Sequence, residues 1–210
     1  MNKMMDELLE RYPALAQCKE DILAAEELMM DTYKKGGKIL VCGNGGSCSD
    51  SEHIVGELMK GFLLHRHMSV EQEKKFRDIL GDEAQMFIDK LQGGIPAISL
   101  PSQSAVLSAY VNDVDPELMY AQLVFGYARP EDLLIAISTS GNSKNAVAAA
   151  KVAKVMGMST LALTGARDSK LSAICDCTVK VPQTETFKVQ EFHLPVYHYL
   201  CASVENRIFG

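Results

Sequence analysis

The chain has 210 residues, of which 47% are hydrophobic and 23% charged, with a formal net charge of −6. These proportions suit one well-cored globular domain. The acidic balance argues against a general nucleic-acid binder, which carries a basic face, but leaves room for a phosphorylated small molecule held by N–H groups and hydroxyls. No run reaches the length of a membrane span, and the opening MNKMMDELLERY reads as an acidic amphipathic helix rather than a signal peptide. Six cysteines (18, 42, 48, 175, 177 and 201) form no CxxC pair. Cys175-Asp176-Cys177 is too tight for the usual zinc spacing, so reduced thiols in a cytoplasmic protein are expected.

Residues 2–34 carry apolar positions at helical spacing (Met5, Leu8, Leu9, Tyr12, then Ile22, Leu23, Leu28, Met29, Tyr33). Tyr12-Pro13 divides them into two helices, and Gly36-Gly37 ends the second. Such a helical arm, residues 1–37, packs on another subunit or on its own domain. Lys38 to Cys42 reads as a short strand, and a helix follows Gly43-Asn44-Gly45-Gly46-Ser47. Residues 64–94 read as a helical insertion: Ser69-Val70-Glu71-Gln72 is a capping-box start, and Phe76, Ile79, Leu80, Met86, Phe87 and Leu91 give an apolar face. His65 and His67, with Arg66 between them, read as solvated.

Ile95 to Leu100 is a second strand, with Pro96 tolerable at its beginning. Helices over 103–111 and 116–127 flank a polar connection at Asn112-Asp113. Asp132 to Ile137 is a third strand, fully apolar as a strand covered on both faces must be. It ends in Ser138-Thr139-Ser140-Gly141-Asn142-Ser143, before a helix from Lys144 to Met156. Strands at 159–165 and 177–181 and a last helix from about Lys188 to Arg207 complete the pattern. Strands alternating with helices predict a three-layer α/β fold around a five-stranded parallel sheet, a single domain over 1–210.

Two stretches carry chemistry. Strand, glycine-rich turn and helix at Leu40–Glu57 present backbone N–H groups and a helix N-terminus to an anion. The helix carries His53 and Glu57 four residues apart, on one face. The turn lacks the third glycine of a dinucleotide fingerprint and the lysine of a nucleotide triphosphate loop. Taken alone it is as well a tight connection, and His53 with Glu57 as well a surface pair. The second stretch, STSGNS, repeats the arrangement with serine and threonine hydroxyls at the end of another apolar strand. One such loop reads as helix capping. Two on one sheet, without a lysine, favour a sugar phosphate over a nucleotide.

CGNGGS with His53-x-x-x-Glu57, then Asn112-Asp113, STSGNS, LTG and Gln190-Glu191-x-His193…His198, resembles the sugar isomerase (SIS) family, and within it the phosphoheptose isomerases. The resemblance covers the chain apart from about residues 64–94. It implies a flavodoxin-like sheet, a cytoplasmic homotetramer with sites between subunits, and aldose–ketose isomerisation of a phosphosugar, sedoheptulose 7-phosphate foremost, through an enediolate. Phosphate would be held by Ser138, Thr139, Ser140 and Ser143. Asn44, Gly45, Gly46, Ser47, Asn112, Asp113 and Gln190 would surround the sugar. Glu57 would be the base and His198 the acid, and His53, Glu57, Gln190 and His198 would hold one zinc ion per site. For Glu57 the metal and base roles stand as alternatives. Isomerisation of another phosphosugar, or a non-catalytic SIS protein that senses a sugar phosphate or binds protein, are the competing functions.

Three positions depart from the family pattern. Gly-Arg after the family's glutamate is Lys60-Gly61 here, leaving Lys60 or Arg66 to substitute. The aspartate three residues before the glutamine is Phe187. Pro195 lies between Gln190 and His198, and eight residues along a straight helix leave those two side chains about 80° apart. His193 therefore rivals His198 by geometry, while motif order favours His198.

Overall fold

The computed structural model describes residues 3–210, so Met1 and Asn2 of the expected arm lie outside the described residues. In chain order the elements are α1 (Lys3–Arg11), α2 (Lys19–Lys34), β1 (Ile39–Cys42), α3 (Gly46–Met59), α4 (Val70–Leu80), α5 (Ala84–Lys90), β2 (Ala97–Ser99), α6 (Ser104–Asp113), α7 (Met119–Tyr127), β3 (Leu133–Ile137), α8 (Lys144–Val155), β4 (Ser159–Thr164), α9 (Lys170–Ile174), β5 (Cys177–Lys180) and α10 (Thr186–Phe209). The five strands form one sheet in the order β2-β1-β3-β4-β5, every pairing parallel. This is the doubly wound order whose direction reverses between β1 and β3.

Period-two alternation divides each central strand between two cores. Ile39, Val41, Leu133, Ile135 and Leu163 face a layer built from α1, α2, α3 and α10, where Met5, Ile22, Met29, Ile54, Leu58, Val196 and Leu200 are buried. Leu40, Cys42, Leu134, Ala136 and Ala162 face α7 and α8. Ala146, Ala149, Ala150 and Ala153 are all fully buried, small residues that let α8 lie close to the sheet. Each buried Leu, Ile or Val contributes roughly 1.5–3 kcal/mol. Pro96 precedes edge strand β2, where its carbonyl accepts from Ile39 N (2.8 Å) and its missing N–H costs no ladder bond.

The arm packs on its own domain in this chain. Glu26 on α2 accepts from the Tyr199 hydroxyl (2.6 Å) and from Arg207 Nη1 (2.9 Å), both on α10. In the insertion, the capping box at Ser69 and Gln72 starts α4. Phe76 packs against Phe87 of α5 with ring centroids 6.0 Å apart, but α4 buries no residue, and Ile79 stays 81% exposed. The hairpin's base is closed by Gly93 N donating to Arg66 O (2.8 Å).

The solvated reading of His65 and His67 holds, but the arginine between them does not share it. The two histidines are exposed, whereas Arg66 is 0% exposed and pairs with Glu205 of α10 at 2.7 Å. Its Nη1 and Nη2 donate to Leu58 O (2.6 Å) and Glu57 O (2.9 Å), carbonyls in the last turn of α3. Glu205 also accepts from the N–H groups of Phe62 (2.7 Å), Leu63 (2.7 Å) and Leu64 (3.2 Å). A buried charge is tolerated when paired and fully hydrogen-bonded. Its partner stands 139 residues away, so local sequence carried no trace of it.

Candidate active site

The loops after β1 and β3 leave neighbouring parallel strands, in register at Cys42 and Ala136. Both therefore open at the crevice where α/β sheets bind ligands. Gly45 has φ +57°, a conformation that glycine takes without strain. At Gly46 an added Cβ would lie 2.4 Å from Gln190 Nε2, so the glycine admits the Gln190 amide of α10 over the turn. Asn44 and Asn145 exchange side-chain hydrogen bonds at 2.8 and 2.9 Å, which ties the glycine turn to the first turn of α8. Tyr120 of α7 braces the same turn by donating to Gly43 O at 2.7 Å. Ser47 is only 3% exposed and lies beneath Gly43.

In the second loop Ser138 and Ser143 share a hydrogen bond at 2.9 Å, while Thr139 is half-buried and Ser140 exposed. Asn142 fixes the loop: its N–H donates to Ser140 Oγ (3.2 Å) and its Oδ1 accepts from Lys170 N (3.1 Å). Thr139, Ser140 and Asn142 line a cavity of about 140 Å³ with Arg167, Gln183 and Thr186. Asn112 and Asp113 are the last two residues of α6 rather than a connection, exposed and hydrogen-bonded to each other at 2.8 Å.

Ile54 and Leu58 anchor the inner face of α3 in the core, which turns His53 and Glu57 outward. His53 Nε2 lies 3.2 Å from Glu57 Oε1 and 3.5 Å from His198 Nε2. Glu57 Oε2 lies 3.3 Å from Lys60 Nζ, so of the two candidate substitutes for the family's arginine, Lys60 reaches the site and Arg66 supports it from behind. His198 also packs on Phe62, ring centroids 5.6 Å apart, at the edge of a cleft of about 430 Å³ lined further by Arg11, Tyr12 and Tyr199. Burial, and then the neighbouring His53, lower the pKa of His198 from its ordinary value.

α10 runs through Pro195 without interruption and separates the two candidate histidines by burial. His193 is 0% exposed, and neither ring nitrogen has a hydrogen-bond partner. Burial pushes its pKa from 6.5 down to about 4. In the unfolded chain the same imidazole takes up a proton near pH 6.5, so the stability linked to its neutral form is present above 6.5 and lost as pH falls towards 4. His193→Leu is therefore expected to flatten this part of the stability profile, removing a loss on the order of 3 kcal/mol by pH 4; denaturant midpoints measured between pH 7 and 4 check it.

The zinc set implied by the resemblance is not assembled. Gln190 lies at Gly46, and among the described residues no group of three or more His, Cys, Asp or Glu side chains is arranged to hold a metal ion. His53, Glu57 and His198 approach pairwise only.

Sequence reasoning missed four residues at or beside this cluster: Asn145, Tyr120, Asp50 and Tyr197. The Tyr197 hydroxyl is 3.0 Å from His53 Nδ1 and 3.3 Å from Asp50 Oδ1. Asp50 stands three residues before His53, one helical turn away, and that spacing was a usable signal. Tyr197 and Tyr120 carried none, because only the packing of α10 and α7 brings them to the turn.

A doubly wound sheet with anion-type loops on adjacent strands at its switch point, and a His–Glu–His cluster beside them, defines a SIS-type phosphosugar protein. SIS-domain family models match residues 3–75 and 103–200. The phosphoheptose isomerase of Akkermansia muciniphila is 33% identical over 203 residues, 97% of this chain and 94% of that protein. The phosphoheptose isomerase GmhA from Neisseria gonorrhoeae superposes with a TM-score of 0.73 at 29% identity, covering 96% of each chain. That from Francisella tularensis gives 0.72 at 25% identity, covering 98% of this chain and all of the other. The chain belongs to the phosphoheptose isomerase family. Among the described residues no helix is long and apolar enough to cross a membrane.

Proposed function

We propose that this chain is an aldose–ketose isomerase of a phosphosugar, with sedoheptulose 7-phosphate as its substrate. The observation that carries this reading is the meeting of Glu57 and His53 with His198, 145 residues apart from His53 in sequence, on the rim beside the glycine turn. The Thr139–Ser140 cavity takes the phosphate, and the Gln190 amide over Gly46 takes sugar hydroxyls. From Gln190 to His198 the helix rises about 12 Å, the span of a long open-chain sugar rather than a triose.

Glu57 takes a proton from the carbon beside the ketose carbonyl, giving an enediolate, and returns it to the old carbonyl carbon, while the hydroxyl proton passes from the oxygen that becomes the new carbonyl to the old carbonyl oxygen through His198, so that no atom is gained or lost. His198, whose pKa burial and then His53 lower from its ordinary value, hydrogen-bonds the carbonyl oxygen on which charge develops. Lys60 places a positive charge against the same carboxylate and the developing enediolate. Zinc is proposed on donor chemistry alone: two imidazoles and a carboxylate suit it. His53, Glu57, Gln190 and His198 would hold it, Glu57 then serving as a ligand in place of the base, and it would polarise a sugar oxygen. No step here depends on it.

The serine-loop cavity and the His198 cleft are separate in one chain. This supports a site completed by a neighbouring subunit, in a cytoplasmic homotetramer. The test is an isomerase assay over a panel of phosphosugars, with and without chelator. Turnover of sedoheptulose 7-phosphate is expected, and inactivity on every sugar would leave only a non-catalytic sugar-phosphate binder. In the same assay Ser140→Ala is expected to raise KM about 10-fold with little change in kcat, since a phosphate contact is present both before and during reaction.

A further inference from the structure

The loop after β4 is laid against the serine loop. Gly165 N donates to Thr139 O (3.0 Å), Leu171 N to Gly141 O (3.0 Å), and Lys170 N to Asn142 Oδ1 (3.1 Å). On its other side Ala166 N donates to Gln183 O (2.9 Å), beyond the end of β5. The close fit needs a glycine: a Cβ at Gly165 would lie 2.7 Å from Gln183 O and 2.9 Å from Thr139 O. Three loops, after β3, β4 and β5, are thereby fastened around the cavity of about 140 Å³.

Two charged side chains, Arg167 and Asp168, line that cavity from the β4 loop. Asp168 is already compensated, because it pairs with Lys180 of β5. Arg167 is exposed, and among the described residues its guanidinium has no ion-pair or hydrogen-bond partner. Thr139, Ser140, Asn142, Gln183 and Thr184 give the rest of the lining its polar groups, all of them neutral. A phosphate monoester carries about −1.5 to −2 charges near neutral pH. Hydroxyls and amides satisfy its oxygens but leave that charge uncompensated, whereas a guanidinium supplies a full positive charge with two parallel donors.

We propose that Arg167 is a specificity-determining residue: it pairs with the phosphate group in the serine-loop cavity and so makes the site select a phosphorylated sugar over the free sugar. The inference rests on the placement of the phosphate under the isomerase reading. It assigns to a third loop the cation that the glycine and serine loops both lack. The plain alternative is a solvated surface arginine, whose replacement would leave binding untouched.

Arg167→Gln removes the charge from an exposed side chain on which no described contact depends. Calorimetry with inorganic phosphate and with sedoheptulose 7-phosphate, and steady-state kinetics on the sugar phosphate, test the proposal. The Kd for both ligands is expected to rise roughly 10- to 100-fold, with KM rising in step and kcat changing far less. Arg167→Lys, which keeps the charge but not the paired donors, should recover part of the loss. Unchanged affinity for both ligands in Arg167→Gln overturns the proposal. So does an equal loss in Lys170→Gln, which removes the same charge nearby from a side chain that does not line the cavity and would point to a general field. Failure of the isomerase reading looks different: the wild type turns over no phosphosugar, yet binds both ligands and loses affinity in Arg167→Gln. A wild type that binds neither ligand overturns the proposal and the phosphate cavity together.

Discussion

Glu57→Gln is expected to lower kcat by about 10² to 10⁴-fold while the protein stays folded and still binds phosphosugar. The magnitude is that of a positioned general base, and the glutamine keeps the size of the side chain while removing its charge. Little else should change. Glu57 projects from the exposed face of α3, its side chain 15% exposed, and its contacts, Lys60 Nζ at 3.3 Å and His53 Nε2 at 3.2 Å, are both to neighbours on or just past the same helix. Surface pairs of this kind hold a fold together by no more than about 1 kcal/mol. Steady-state kinetics and a binding measurement on the same preparation separate the two effects. Loss of kcat with retained affinity supports proton transfer. Unchanged turnover would remove the isomerase reading, and lost affinity with unchanged kcat would make Glu57 a binding residue.

Glu205→Ala is expected to have the largest effect on stability, roughly 3–5 kcal/mol, because it leaves the Arg66 guanidinium buried and uncompensated. That is a large share of the 5–15 kcal/mol by which a domain is ordinarily stable. The variant also strands the Phe62, Leu63 and Leu64 N–H groups, so Arg66→Met with Glu205→Leu should recover only part of the loss. Urea denaturation of the two single variants and the double variant measures this, and a Glu205→Ala protein of wild-type stability would refute it. The pair also reaches the site, because Arg66 caps the Glu57 and Leu58 carbonyls at the end of α3. Burial opposes ionisation of Glu205, but the Phe62 and Leu63 N–H groups and Arg66 outweigh it and hold its carboxyl below the ordinary 4.5. A depressed carboxylate contributes stability that is full above about pH 4.5 and is lost as pH falls through its folded value. The wild type should therefore lose stability below pH 4.5 more steeply than the double variant.

The alternation of apolar strands with helical patterns determined the parallel α/β architecture, since strands covered on both faces must be apolar throughout. Glycine and hydroxyl chemistry marked both loops, because backbone conformation and capping are set within a few residues. His53 and Glu57 were legible together because helical spacing places them on one face. What lay far apart in the chain was decided by tertiary structure alone. Angular position on α10 left His193 and His198 as rivals, and only packing buried His193 and set His198 against His53. Packing turned Arg66 inward to Glu205, where its neighbours in sequence suggested solvent. Tyr197, unremarked in the sequence, became the link between Asp50 and His53 only once α10 lay against α3. The reason is common to all three: spacing along one element fixes which side chains share a face, but which faces meet, and which charges are thereby stripped of water, depends on the whole domain.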